Sequence, residues 1–498
     1  MWQRTSKASI ASMAGVVLLG GIGAYGATRR NQQPIGALAR CESSLVGKNQ
    51  TTQRCSVLVV GGGIVGSAAT CEISKGLKGT DSTIMLLERG FIGSEATGLS
   101  AGTLQNGHTK ALGESNFTAQ LEKLSSTMYQ ELESSGFSCG YVKSGGLVLA
   151  TTTRGEKALK DIYKRTKALE EVEFLKNQQA VAELEPMVQG GTVRSALHYP
   201  QSGFVEPGEA ARAFVEAAVA SNSANTIIKE SEEVIRIQTT GRTGYQVTTR
   251  SGLVVDCETL ILCPGAWSAS VGRLLQLEIP IVPVKGQIWV TDEAVPPTTL
   301  KRIVYLVESS IGFQAVRGDP RLSLLPQGVT HDVEHTRYVN HAYGRKLPSG
   351  QVLFGGDRLP CRDNTASELY GVDSKHIHPN QEYVYEFLPG LKKYGAEGGW
   401  AGPMPFSPDG KPYVGELDDF GYPNLWVITG LGAFGMTKGP ALSRIVGSII
   451  CCRKRGKDNP TPFEGENRSP KDDKAFVGAV LTAYKPNRSK GIKKQVSL

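Results

Sequence analysis

Gly61, Gly63 and Gly66 occupy the three glycine positions of a GxGxxG pattern, and a carboxylate, Glu88, follows 22 residues after the last of them. Glycines at that spacing let a backbone turn tightly, approach a pyrophosphate and pack a helix on a strand. An acid at that distance can accept hydrogen bonds from a ribose diol. The chemistry implied is capture of a dinucleotide. A second group could act on a substrate: Lys285, His341, Tyr343 and Arg345 fall in a region of strand pattern. Each also has an ordinary reading, since a basic side chain on a sheet edge is commonly solvated and a lone histidine is more often structural. No Ser/His/Asp set or metal-ligand cluster stands out in the sequence.

The elements around these residues support the first reading. Ser56–Val60 is a β-branched run without polar alternation, the mark of a buried parallel strand. A helix over roughly 64–75 then points its N-terminus at the phosphates, which its N–H groups and dipole favour. Thr83–Leu87 is a second buried strand and ends at Glu88. Ala96–Gly102 is a small-residue loop able to run close to a cofactor. Residues 117–134 are predicted helical, with Leu121, Leu124, Met128 and Leu132 on one face. Thr259–Cys263 reads as a buried strand running into the turn Pro264–Ser268. An antiparallel sheet is expected from 283–290, 338–345 and 351–355, with a hairpin turn at Pro348-Ser349-Gly350. More than 300 residues after the first glycine turn, the strand Leu425–Thr429 enters a second, Gly430–Thr437, that opens a helix over 440–450. Two such elements so far apart suggest one dinucleotide gripped at both ends.

Charge is unevenly placed along the 498 residues, whose net charge is +8. Residues 1–54 carry seven Lys/Arg against one Glu, and 453–498 carry twelve against five Asp/Glu. The body between them has 36 basic and 41 acidic residues, which argues against nucleic acid as a partner of the core. The basic tail, 453–498, is expected to be disordered. Nine cysteines lie scattered without CxxC or zinc spacing, so a disulfide framework is not indicated and a reducing compartment fits best. No acid precedes Glu42, and Ala8–Ala27 is an uncharged run of 20 residues between basic flanks. A mitochondrial presequence, with or without an inner-membrane anchor, is the favoured reading. A secretory signal peptide and a permanent membrane helix are the alternatives.

Several blocks, in this order, resemble the D-amino-acid-oxidase-type (DAO) superfamily of FAD-dependent oxidoreductases: VLVVGGGIVGSAA at 57–69, ATGLSAG at 96–102, GFVEPGEAARAF at 203–214, TLILCPGAWS at 259–268, PVKGQ at 283–287, SPDGKPYVG at 407–415 and WVITGLGAFGMTKGPALSRIVG at 426–447. The resemblance implies a mixed α/β fold. A Rossmann-like FAD domain (55–140, 205–282, 396–452) would interleave with an antiparallel-sheet substrate domain (141–204, 283–395). It also implies that Gly61, Gly63, Gly66 and Glu88 hold the ADP half of FAD, and that Ile64, Val65, Arg89 and Val234 bind the cofactor. Ser100, Ala101 and Gly102 would approach the pyrophosphate and flavin, and Gly265 and Trp267 would pack near the cofactor. Gly430, Gly432, Gly435, Met436 and Thr437 would bring a helix N-terminus to the flavin edge that becomes anionic on reduction.

Departures from the family pattern bear on the substrate. Amino-acid members often carry an arginine where Met404 stands, so a simple amino acid needs its charge from Arg345 or Lys285. No cysteine lies between Cys361 and Cys451, which implies non-covalent FAD. A lysine that some oxidases place on this strand is missing from Val352-Leu353-Phe354, which tilts the expectation toward a dehydrogenase. The activity expected is oxidation of a C–N bond in an amine or amino-acid derivative by hydride transfer to flavin N5. A 2-hydroxy acid is the less favoured donor. Electrons would pass to a quinone, an electron-transfer flavoprotein or oxygen. The alternative is a mitochondrial flavoprotein that assembles a respiratory complex.

Overall fold

The computed structural model describes residues 52–104, 116–168, 171–308, 342–361, 365–457, 460, 462–463, 469–488 and 491–494. The expectations for 1–51, Ala8–Ala27 included, and for His341 fall outside these residues.

The C-terminal half of the strand Thr52–Val60 has no polar face, because Val57, Leu58 and Val59 are wholly buried. It takes the centre of an eight-stranded sheet. Val57–Val60 pair in parallel with Ile84–Leu87 on one side and with 259–262 on the other. Tyr422–Thr429 extends the sheet beyond Val254–Leu262, and Thr226–Lys229, a strand not expected from the sequence, closes the opposite edge. The first helix, Ile64–Gly76, packs along the last long helix, Gly435–Lys454. Small residues allow the approach: a Cβ on Gly439 would stand 3.1 Å from Val65. The Ser443 hydroxyl donates to the Val65 carbonyl at 2.8 Å. Arg444 binds Glu72 (2.7 Å) and Glu131, tying in the helix Asn116–Ser134. That helix buries Leu121, Leu124, Met128 and Leu132, the face its spacing predicted.

The second sheet also has eight strands, in the order Gly398–Phe406, Val282–Val290, Val352–Pro360, Tyr343–Lys346, Ile303–Leu306, Gly146–Ala150, Ser195–Tyr199, Glu173–Leu175. The hairpin at 347–351 forms as expected, closed by the Leu347 N–H to the Gln351 carbonyl (2.8 Å). The sheet is antiparallel except where Ile303–Leu306 runs parallel to Gly146–Ala150. One boundary moves. Residues 398–406 were assigned to the cofactor domain, yet they pair with 282–290 along their whole length and belong to the substrate sheet.

The tail is corrected too. Residues 470–483 form a helix, capped by a reciprocal Ser469/Asp472 box, and bury Phe476, Val477 and Val480 in the main core. Lys493–Lys494 pairs with Leu277–Glu278, and Arg488 binds Asp409 at 2.6 Å. The overall basic charge of this segment concealed an amphipathic helix and locally matched ions. Among the described residues no helix is long and apolar enough to cross a membrane.

Candidate active site and cofactor cavity

One cavity of about 540 Å³ is lined by Gly61, Gly63, Ile64 and Val65 of the first glycine turn, by Gly430–Met436 of the second, and by the loop Ser100–Gly102. Gly61 has φ +106°, and a Cβ there would come within 2.3 Å of the Cys263 carbonyl oxygen, so the turn tolerates only glycine. Gly66 lies outside the lining and serves packing, since its Cβ would stand 1.8 Å from the Gly61 oxygen. The helix after Gly63 has no capping side chain at Gly63 itself; the Ile64 N–H donates to the Thr97 hydroxyl at 3.0 Å, and the positive helix end beside it favours a ligand anion. Glu88 lines the cavity, only 7% exposed. It accepts hydrogen bonds from the backbone N–H of Gly62 and Gly90, each at 2.7 Å. Each carboxylate oxygen has a second lone pair for a ribose hydroxyl. Arg89 lies 3.5 Å over the Trp267 ring and pairs with Glu95, and Val234 lines the same end.

The far end of the cavity meets the second sheet. Gly265, Gly430, Gly432, Gly435 and Met436 line it, and Gly430 and Gly432 take positive φ. Thr437 does not line it and is buried within the last long helix. A Cβ on Gly265 would meet no protein atom within 4 Å, so space is open beside that backbone. A carboxylate at one end, a helix start in the middle and bare glycine backbone along the walls fit FAD.

Two of the four expected catalytic side chains do not reach this space. Lys285 points to the other face of its strand, where its ammonium donates to the Gly371 carbonyl (2.9 Å); its neighbours Gly286 and Ile288 face the cavity instead. Arg345 is 1% exposed and committed elsewhere. Its Nε donates to the Ala101 carbonyl (2.5 Å), Nη1 binds Glu206 (2.8 Å), and the guanidinium lies 4.6 Å over Phe204. It holds the cofactor loop to the substrate sheet. Tyr343 does line the cavity, and burial pushes its phenol up despite the nearby charge of Arg358. Arg358, not singled out from the sequence, lines it as well. Met404, where the family arginine was missed, also faces this space.

A family model described as FAD dependent oxidoreductase (DAO) matches residues 56–449. The chain belongs to that family. FAD is therefore its cofactor, in agreement with the cavity.

Its relatives include glycine oxidase of Geobacillus kaustophilus, 29% identical over 406 residues, covering 80% of this chain and 93% of the relative. The 4-methylaminobutanoate oxidase (formaldehyde-forming) of Paenarthrobacter nicotinovorans is 26% identical over 411 residues, covering 81% of this chain and 44% of the relative. Human mitochondrial dimethylglycine dehydrogenase is 25% identical over 393 residues, covering 78% and 42%. The chain thus spans less than half the length of the last two. The crystal structure of the Geobacillus glycine oxidase shares the fold, with TM-score 0.65 and 22% identity over 84% of this chain and all of that one. An L-α-glycerophosphate oxidase from Mycoplasma pneumoniae with FAD bound gives 0.63 and 18% identity, over 81% of this chain and 95% of that one.

Proposed function

We propose that the protein is a dehydrogenase that oxidises a C–N bond of an amine or amino-acid derivative. The observation that carries this is one continuous cavity, which runs from the Gly61 turn to a wall of the second sheet bearing Tyr343 and Arg358. The three relatives named above are enzymes of amine-bearing compounds by their own names, which supports the same class of donor here.

Bound flavin supplies a two-electron acceptor for hydride from the carbon next to the donor nitrogen, leaving an imine for water to hydrolyse. Tyr343 keeps its proton at neutral pH because burial disfavours the phenolate. It therefore donates a hydrogen bond and orients the donor, and is not a base. The helix start at Gly435 turns its positive end toward the site, where negative charge gathers on reduction. Leu353, packed with Ala101 and Ile288, stands on the strand where an oxidase lysine was sought, so that stretch offers no ammonium to activate oxygen. A quinone or an electron-transfer flavoprotein is the acceptor we favour over oxygen. The FAD is non-covalent: the cysteine lining the cavity, Cys263, is beside the Gly61 turn, and its thiol is pushed up by burial. The acid-free basic N-terminal segment supports mitochondrial targeting, testable by import into isolated mitochondria. The family and the relatives above lend no support to an assembly role.

The deciding experiment is an anaerobic screen of amines, N-methylated amino acids and hydroxy acids, read as bleaching of the flavin. An amine or amino-acid derivative should reduce it within the turnover range of flavin enzymes. Reduction by hydroxy acids alone, or by none of the panel, would contradict the proposal.

A further inference from the structure

At residues 407–412 the chain leaves the second sheet for the first, between the strands Gly398–Phe406 and Tyr413–Leu417. Gly410, with φ +71°, lines the cavity, as do Met404, Pro405 and Phe406 just before the loop. The loop also backs the second glycine turn. A Cβ on Gly430 would stand 3.5 Å from the Ser407 Cβ and 3.6 Å from the Pro412 Cα, and Phe406 bridges to Leu431. The position of this loop therefore limits how far the turn at 430–436 can draw back from the cavity.

Within the loop the bonds are local. The Gly410 N–H donates to the Ser407 carbonyl (3.1 Å), the Ser407 hydroxyl to the Lys411 carbonyl (2.7 Å) and the Lys411 N–H to Asp409 (3.1 Å). An arginine beyond the span that the family model matches, Arg488, grips the loop from outside. Its Nε and Nη2 donate to the two Asp409 oxygens in parallel, at 2.6 and 2.8 Å. Nη2 also donates to the Lys411 carbonyl (2.6 Å), and Nη1 donates to the Pro412 carbonyl (3.0 Å). The other Nη1 hydrogen is shared between the Tyr484 and Lys485 carbonyls, at 3.3 and 3.1 Å. All five guanidinium hydrogens are engaged, four of them on the loop. Fastening a tail needs one acceptor on the body; this fork holds a carboxylate and two successive carbonyls, which fixes the loop in three places.

Arg488 itself has a firm base. Phe476, Val477, Val480 and Tyr484 are buried in the core of the first sheet, and Ile492 is buried on its other face. The Tyr484 carbonyl accepts from the Val414 N–H at 3.0 Å, and the guanidinium lies 4.1 Å over the Tyr413 ring. Arg488 and Asp409 are only 15% and 19% exposed, unlike the solvated ion pairs that contribute little.

We propose that Arg488 is a positioning residue for the cofactor: from the C-terminal segment it sets the loop 407–412, and through that loop the second glycine turn, against the flavin end of FAD. It is not among the residues that line the cavity and acts through Ser407, Gly410 and Pro412. This role needs FAD alone and holds whatever the donor is.

The test titrates full-length apoprotein with FAD and, separately, with ADP, both by calorimetry. ADP reports the Gly61 end of the cavity, whereas FAD reports both ends. Arg488→Met should weaken FAD by about tenfold or more and leave ADP within about twofold of wild type. The visible spectrum of FAD bound to this variant should move toward that of free FAD. Arg488→Lys keeps the charge without the fork and should fall between the two. Lys485→Met removes the neighbouring ion pair with Asp419 and should leave both affinities as in wild type. Equal loss of FAD and ADP affinity in Arg488→Met would make the residue a general support and overturn the proposal. Unchanged FAD affinity overturns it as well, and so does an equal loss of FAD affinity in Lys485→Met. Should Arg488→Met fail to fold, Arg488→Lys and Asp409→Asn decide: no selective loss of FAD over ADP in either one overturns the proposal.

Discussion

Glu88 reaches the cavity already oriented by the Gly62 and Gly90 N–H groups. Substitution by Ala removes an acceptor for the ribose and leaves the Gly62 and Gly90 N–H groups without it. FAD affinity should fall by at least tenfold, or about 1.4 kcal/mol or more, measured by quenching of flavin fluorescence on titrating apoprotein. Arg345 invites a different outcome. Its ion pair with Glu206 is buried on the arginine side, and breaking such a pair leaves an uncompensated charge at a cost of about 3 kcal/mol. Arg345→Met should lower the melting temperature, and adding Glu206→Gln should recover part of the loss. If Arg345→Met instead raised KM for the donor at unchanged stability, its assignment to structure would be wrong. The glycines and Glu88 were legible because their roles follow from backbone geometry and spacing alone. Lys285 and Arg345 were misplaced because residue type in a strand does not say which face it takes or which loop it meets. Arg358 was hidden by one inserted residue, since Ile288 lies opposite Gly355 but Gln287 opposite Asp357; the paired glycines at 355 and 356 are the trace that bulge leaves in the sequence.

Among the elements, both glycine turns and the helix 116–134 could be read in advance, since a strand–turn–helix signature and a 3.6-residue period are local signals. Thr226–Lys229 could not, being a short edge strand whose burial comes from its neighbour. Gly398–Phe406 likewise depends on pairing with a strand more than a hundred residues earlier. The C-terminal segment is the element whose expected disorder failed, and its contacts give a pH-dependent test. Burial alone raises the Asp409 carboxyl, but the Arg488 hydrogen bonds and charge outweigh it and hold the group below its usual range. A depressed folded pKa contributes stability that is present above the unfolded value, near 3.8, and is lost as pH falls through the lower folded value. Wild type should therefore hold its tail at neutral pH and release it in acid below about pH 4. Asp409→Asn should weaken it at neutral pH and remove this acid dependence. Amide exchange of residues 470–483 measures both, and equal exchange in the two proteins at pH 7 would show that the Arg488 pair does not hold the tail.

At the scale of the molecule, two eight-stranded sheets meet along one cavity, with the substrate sheet supplying the wall that the cofactor turns lack. The interleaving of chain segments follows from this: crossings between the sheets bring the loops at 100–102 and 265–267 to the cavity, and the turn at 430–436, after the last strand of the first sheet, reaches the same space. Non-covalent attachment should show as yellow colour left in the supernatant after acid precipitation, and colour retained in the pellet would refute it. The central claim is that the turns at Gly61 and Gly430 grip a single FAD. Titration of apoprotein with FAD, followed by fluorescence quenching in the absence and presence of ADP, tests it most directly. One FAD per chain, displaced competitively by ADP and weakened at least tenfold by Gly432→Val, is the expected result. FAD that binds with unchanged affinity beside saturating ADP, or that ignores the Gly432 substitution, would mean that the two turns serve separate sites.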